Sequence, residues 1–265
     1  MVSNRFRGAT AIVTGAASGI GRALCELLID RGAVVWAADR DGVGLASLAA
    51  ECGSRLKTAV IDVADRESVA ALVDQAVWSS GRLDLMFNNA GIVVGGDLAE
   101  MTTEVWRQIV DVNFWGVVHG TQLAYAQMRD QGVGHIVNTS SSAGLMPVAS
   151  SAAYAATKHA VVGLTTSLRA EAKPYGVRAS VVVPGLVDTG IFDKAHNLPG
   201  YDYRASVDAV PFAKISPERA AEAILRGVAR NQQFITFPAY NRILVRLNRI
   251  APSLMSPIIN YERNS

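Results

Sequence analysis

The 265-residue chain is half apolar and 18% charged, so it can bury a full core, and its length lies at the upper end for a single domain. Its 25 basic residues nearly balance 23 acidic ones, which gives no overall electrostatic case for a nucleic acid or another polyanion. Cys25 and Cys52 lack metal-ligand spacing, so neither a disulfide framework nor a metal site is expected, and a reducing cytoplasm fits best.

The opening segment MVSNRFRGATAIVTGA reaches a glycine turn after a short apolar run, which predicts neither a secretion signal nor a membrane span. Short β-branched runs then alternate with longer helical patterns. Thr10 to Thr14, Val34 to Ala38, Leu56 to Ile61, Leu83 to Asn88, His135 to Thr139, Arg178 to Val183 and Gln233 to Phe237 read as strands. Stretches such as AVVWAA, LDLMF and ASVVV show no polar alternation, as in a parallel sheet buried on both faces. Helices must then cover both sides, giving one three-layer, doubly wound α/β domain over residues 1–265 with its ligand at the carboxyl ends of the strands. Residues 190–212 read as a loop rich in Gly, Pro, Asp and Tyr, where a substrate lid would sit. Ser216, Pro217 and Glu218 form a helix start, with cap, first-turn proline and first-turn acid.

Thr14-Gly15-Ala16-Ala17-Ser18-Gly19-Ile20-Gly21 joins the first strand to a helix. Glycines there allow a sharp turn and let a pyrophosphate approach the helix N-terminus, whose free N–H groups and dipole favour negative charge. The second strand ends near Asp39, 18 residues after Gly21, where a carboxylate can bind an adenosine ribose 2'-hydroxyl. This order of strand, glycine turn, helix, strand and acid predicts a dinucleotide-binding Rossmann fold.

At this point the sequence resembles the short-chain dehydrogenase/reductase family over roughly residues 8 to 235. TGAASGIG matches the family's cofactor turn, Asn88-Asn89-Ala90-Gly91 its NNAG element beside the adenine, and Asp62, followed by Val63, its adenine-contacting aspartate. Pro184-Gly185-Leu186-Val187-Asp188-Thr189 matches its PG-x-V-x-T signature, and the resemblance implies that the Val187 backbone and Thr189 hydroxyl hold a nicotinamide carboxamide.

Tyr154 and Lys158 stand at i and i+4, so both project from one face of a helix. A phenol is a poor base at neutral pH, but an adjacent ammonium and an oxidised nicotinamide both stabilise phenolate. Ser141 lies thirteen residues before Tyr154 and matches the family's catalytic serine; Ser140 and Ser142 are alternative turn-capping hydroxyls, and the following Ala-Gly pair favours Ser141. Asn113 resembles the fourth member of the family tetrad, whose backbone holds a water that links the lysine to solvent; a helix kink or cap is its structural alternative. The resemblance implies alcohol–carbonyl interconversion with transfer of the pro-S hydride, Tyr154 acting as acid/base.

The acidic Asp39 predicts NAD over NADP, with Arg40 as the residue that could accommodate a 2'-phosphate. Alternatives are an NADP-dependent carbonyl reductase and a dinucleotide sensor without turnover. Leu145, Met146, Val148, Ile191 and Phe192 hint at a lipophilic substrate. The family's V-D-G-G ending, which helps build tetramers, is missing, whereas the dimer face implied by the helices of Asn113 and Tyr154 is kept. In the C-terminal extension, about 238–265, Ile243, Leu244, Leu247 and Ile250 are expected on one side of a helix, with Arg242, Arg246 and Arg249 toward solvent. Packing on its own domain or a partner subunit is the favoured reading of this helix, and peripheral membrane contact the other.

Overall fold

The computed structural model describes residues 5–251. In chain order the elements are β1 (Thr10–Thr14), α1 (Gly19–Asp30), β2 (Val34–Asp39), α2 (Gly42–Cys52), β3 (Leu56–Val60), α3 (Arg66–Ser80), β4 (Leu85–Asn88) and β5 (Val94–Gly95). There follow α4 (Thr103–Val110), a π-helical turn (Asp111–Trp115), α5 (Gly116–Gln131), β6 (Gly134–Thr139), α6 (Ala152–Glu171) and β7 (Val177–Pro184). The chain continues through β8 (His196–Asn197), α7 (Tyr203–Asp208), α8 (Pro217–Ala229), β9 (Phe234–Phe237) and α9 (Ala239–Ile250).

Seven strands form one parallel sheet in the order β3-β2-β1-β4-β6-β7-β9. The chain winds outward from β1 to β3 and then returns to the other side of β1 as β4, so the strand order reverses between β1 and β4. This is the single-domain Rossmann architecture, and the reversal opens a crevice beyond the carboxyl ends of those two strands.

Strand alternation divides the core between the two faces. Val13, Val35 and Phe87 pack with Leu24 and Leu28 of α1, Leu48 of α2 and Ile224, Leu225 and Val228 of α8. Their neighbours Ile12, Met86 and Ile136 pack on the other face with Leu72 and Val73 of α3, Ala124 and Met128 of α5 and Leu168 of α6. Every residue of β1, β4 and β6 is buried, which explains the apolar centres of these strands and requires partners for the polar residues within them. The predicted start of α8 forms as read, with the Ser216 hydroxyl accepting from the Arg219 N–H and Pro217 in the first turn.

Polar side chains cross the middle of the second face. Asn88 Nδ2 donates to Asn138 Oδ1 at 2.8 Å and Thr121 Oγ1 at 3.2 Å, and Asn138 Nδ2 donates to Thr165 Oγ1 at 2.9 Å. The network joins β4, β6, α5 and α6 with buried groups only. Its bonds hold these side chains in place, although Asn88 Oδ1, facing Gly120, is buried without a partner.

Two expectations need correction. Residues 190–212 are not all loop: β8 pairs with β5, and α7 starts at an Asp202 cap whose carboxylate accepts from the Ala205 N–H. Of the packing expected for α9, on its own domain or on a partner subunit, the first is not made by most of the apolar stripe, with Ile243 59%, Leu247 45% and Ile250 82% exposed. The helix is instead anchored by polar groups. Asn241 Nδ2 donates to Val183 O at 3.1 Å and Phe237 O at 3.3 Å, and Asn248 Nδ2 to Leu145 O at 3.1 Å. Residues 252–265 of the expected extension lie outside the described residues.

A Cβ built on Gly120 of α5 would lie 1.9 Å from Asn88 Oδ1. The better helix propensity of alanine recovers at most about 1 kcal/mol, whereas displacing a networked side chain costs about 1–3 kcal/mol. Gly120→Ala should therefore lower the melting temperature in thermal denaturation, and an unchanged or higher value would show that the network yields without cost.

Candidate active site

The turn after β1 is built on two left-handed glycines, Gly15 at φ 68° and Gly19 at φ 54°. A Cβ on Gly15 would lie 2.8 Å from Ala90 Cα, so the chain after β1 can touch the chain after β4 only if this residue has no side chain. The contact is locked by Thr14, whose hydroxyl accepts from the N–H groups of Asn89 and Ala90, both at 3.1 Å. Asn89 Nδ2 donates back to Thr14 O at 3.1 Å. Gly21 plays a different part: its Cβ would lie 2.0 Å from Gly15 O, so its lack of a side chain lets α1 close on its own turn.

Ser18 precedes α1 in extended conformation and its hydroxyl caps none of the first N–H groups, while no acid stands in the first turn. The helix therefore presents open donors and the positive end of its dipole to the crevice. Asp39 completes this side. Its Oδ2 accepts from the Ala17 N–H and its Oδ1 from the Asp41 N–H, each at 3.0 Å, which fixes the carboxylate beside the turn. Asp62 is held by the Ala64 N–H at 2.9 Å.

The second half of the site lies at the ends of β6 and β7. The two neighbouring serines have different environments. Ser140 is buried and donates to Lys158 O at 2.8 Å, which ties the end of β6 to α6. Ser141 begins the following short turn, accepts from the Ala143 N–H at 3.2 Å and stands near enough to the Tyr154 phenol to act on its titration. The i, i+4 geometry of α6 sets Lys158 Nζ 5.7 Å from the Tyr154 ring centroid, and this ammonium donates to Thr139 O at 3.1 Å.

Burial dominates the electrostatics of this pair. It pushes the Tyr154 phenol above its ordinary value, with the Ser141 hydroxyl pulling the other way, and it holds Lys158 down at about 8. Lys158 is not among the groups that shift the phenol; burial and Ser141 are.

Asn113 lies in the π-helical turn between α4 and α5 and is fully buried. Its Oδ1 accepts from the Ile92 N–H at 2.8 Å, and its Nδ2 donates to Ile92 O at 2.9 Å and to Thr157 Oγ1 at 3.3 Å. The side chain thereby clamps the segment after Gly91 against α6. π-turns commonly mark functional positions in helices.

One open cavity of about 460 Å³ runs along these features. Gly15, Ser18, Gly19, Ile20, Asp39, Arg40, Asp62, Val63, Asn89, Ala90 and Gly91 line it on one side, and Ser141, Tyr154, Lys158, Pro184, Gly185, Val187 and Thr189 on the other. Gly21 and Asn113 are not in its wall; they act on the backbone behind it. Met146, Val148, Ile191 and Phe192 contribute an apolar end, whereas Leu145 does not reach the cavity and offers only its carbonyl, to Asn248. Sequence reading missed the part of the wall that comes from α9. Tyr240, Asn241 and Leu244 face the cavity; the Tyr240 hydroxyl accepts from the Leu186 N–H at 3.1 Å, and its ring stacks on Phe212 at 4.6 Å.

The residues present fit a dinucleotide: a glycine cradle that a Cβ would fill, open helix donors for a pyrophosphate and a fixed carboxylate for a ribose. Among the described residues, no group of three or more His, Cys, Asp or Glu is placed to hold a metal ion, and no helix is long and apolar enough to cross a membrane.

Comparison with known proteins agrees with this geometry. The family described as short chain dehydrogenase matches residues 9–198. SadH of Mycobacterium tuberculosis, a protein assigned provisionally as an oxidoreductase, is 37% identical, covering 97% of this chain and 94% of its own length. The 3β-hydroxysteroid dehydrogenase 2 of Eggerthella lenta is 38% identical over 69% of this chain and 73% of its own. Among solved structures, a short-chain dehydrogenase/reductase of Burkholderia phymatum in complex with NAD superposes with a TM-score of 0.86 at 32% identity, covering 94% of this chain and 96% of that one. A Sphingobium yanoikuyae short-chain dehydrogenase in complex with NADPH gives 0.79 at 26% identity, covering 94% and 95%. The chain is a member of the short-chain dehydrogenase/reductase family of nicotinamide-dependent oxidoreductases.

Proposed function

We propose that this protein interconverts a lipophilic secondary alcohol and its ketone, with NAD as the preferred cofactor. The observation that carries the reading is the convergence of Ser141, Tyr154 and Lys158 on a cavity that joins a dinucleotide cradle to an apolar chamber. Ser141 and Tyr154 line the same stretch of the cavity, so a substrate oxygen entering there meets two hydroxyls at once. In oxidation the Tyr154 oxygen takes the alcohol proton while Ser141 holds the substrate oxygen; in reduction Tyr154 returns that proton. Lys158 keeps a positive charge behind the ring, and Asn113 keeps the neighbouring backbone in place. When bound, a nicotinamide supplies the hydride acceptor or donor, and in its oxidised form a positive charge that favours phenolate.

The segment 190–212 serves as the substrate lid. Ile191, Phe192 and Tyr203 from this segment pack with Tyr154 and Leu186. The names of relatives point the same way, since a hydroxysteroid dehydrogenase and a chlorinated cyclohexadienediol dehydrogenase of Sphingobium indicum both take ring alcohols. A homodimer through α4, α5 and α6 fits the half-exposed Trp115, which stacks on His119 at 6.0 Å.

Screening NAD reduction against a panel of ring and chain secondary alcohols tests the reading, and a folded protein that binds NAD but turns over none would instead be a dinucleotide sensor. Tyr154→Phe should lose about 10²- to 10⁴-fold in rate with little change in NAD affinity by titration calorimetry; turnover near wild type would remove Tyr154 from the mechanism.

Lys158→Met should lose activity without losing stability at neutral pH. Burial disfavours the ammonium, so its cost to the fold is fully present below pH about 8 and fades as the pH climbs toward 10.5. The variant should melt no lower than wild type near pH 7, with wild type gaining on it as the pH rises through that window. A clearly lower melting temperature at pH 7 would mean that the bond to Thr139 outweighs desolvation.

For cofactor choice, kcat/KM with one alcohol should favour NAD in the wild type, because the fixed Asp39 carboxylate repels a 2'-phosphate. Asp39→Ala should narrow that gap. An NADP preference in the wild type would show that Arg40, which also lines the cavity, governs the pocket.

A further inference from the structure

We propose that the outer face of α8 and α9 docks on an anionic lipid bilayer. Two observations meet there. The first is the apolar stripe of α9, in which Ile243, Leu247 and Ile250 stand at i, i+4 and i+7 and are 59%, 45% and 82% exposed. Each is flanked on its N-terminal side by an arginine, Arg242, Arg246 or Arg249, and the helix carries no acid. A helix with large side-chain asymmetry, exposed aliphatic groups and a cationic flank is suited to lie in a membrane interface.

The second observation is a groove of about 500 Å³ on the far side of α9 from the substrate cavity wall. Arg219, Arg226, Arg230 and Arg242 line it, against one acid, Glu222, which is 3.4 Å from Arg226. Arg242 belongs to both features, since it lines the groove and directly precedes Ile243. The groove therefore offers guanidinium groups to phosphodiesters at the edge of a stripe able to enter the acyl region.

The charges select this occupant over a second copy of the chain. A two-fold interface through the stripe would bring the same arginines of both copies to one patch, and like charges at an interface are unfavourable. An anionic bilayer complements every arginine on the face. The opposite side of α9 lines the substrate cavity through Tyr240, Asn241 and Leu244, so docking would set the cavity about one helix diameter, roughly 10–12 Å, from the lipid.

The test is sedimentation of the full chain with vesicles of phosphatidylcholine alone or mixed with phosphatidylglycerol. Wild type should pellet with the mixed vesicles, not with phosphatidylcholine alone, and less as salt is raised. Arg246→Gln with Arg249→Gln should weaken partitioning about thirtyfold, the factor that about 1 kcal/mol for each of two arginines gives. Ile243→Ser with Leu247→Ser and Ile250→Ser should weaken it at least about tenfold. Turnover of a water-soluble alcohol should be unchanged in both variants, since none of these residues lines the cavity. Failure of the wild type to bind mixed vesicles, or equal binding by both variants, overturns the proposal. A dimer in solution that the serine variant dissociates, without vesicle binding, would assign the stripe to a second copy and overturn it equally. Loss of alcohol turnover in the wild type would refute the proposed reaction and leave the vesicle result standing.

Discussion

The site depends on one close approach, that of the backbone after β1 to the backbone after β4. No helix mediates it. Thr14 accepts two N–H groups from Asn89 and Ala90, and Gly15 leaves no Cβ to keep the strands' extensions apart. Because these are the two strands between which the winding of the sheet reverses, the approach closes the floor of the crevice. It also sets where α1 begins, and so where its unpaired donors point. Asp39 then ties the middle of the glycine turn to the end of β2, so three consecutive strand ends share one hydrogen-bonded frame.

The reactive pair is governed by a different constraint, that of burial. Tyr154 and Lys158 each lie where the charged form is disfavoured, one pushed up and the other held down at about 8. The two shifts carry the proton affinities past one another, so that in this buried setting the amine gives up its proton more readily than the phenol. The cost falls on the fold. It is offset locally by hydrogen bonds from Lys158 to Thr139 O and from Ser140 to Lys158 O, which bind α6 to β6 at the position where proton chemistry would occur.

Much of this was legible in the sequence, because the signals were long and local. The strands of the sheet are short β-branched runs, several of them continuously apolar, and their observed limits differ from the expected ones by at most two residues, as at Leu85 and Pro184. The glycine turn and the i, i+4 tyrosine and lysine are local patterns whose geometry follows from secondary structure alone. What escaped was non-local or short. The six residues of α7 and two of β8 carry no periodicity to read. The choice between Ser140 and Ser141 rests on which hydroxyl meets Lys158 O, a contact across 18 residues. The orientation of α9 was not legible for a simple reason: apolar spacing marks a stripe without saying what covers it, and Asn241, a polar residue satisfied by two strand-end carbonyls, anchors the helix.

That asparagine has a wider consequence. By holding α9 to Val183 O and Phe237 O, it makes a segment beyond the last strand part of the chamber that also receives residues 190–212. The chemistry is written between residues 14 and 158 and the chamber's outer wall mostly after residue 186. Substitutions in the last third of the chain can therefore reshape the chamber while Ser141, Tyr154 and Lys158 keep their places.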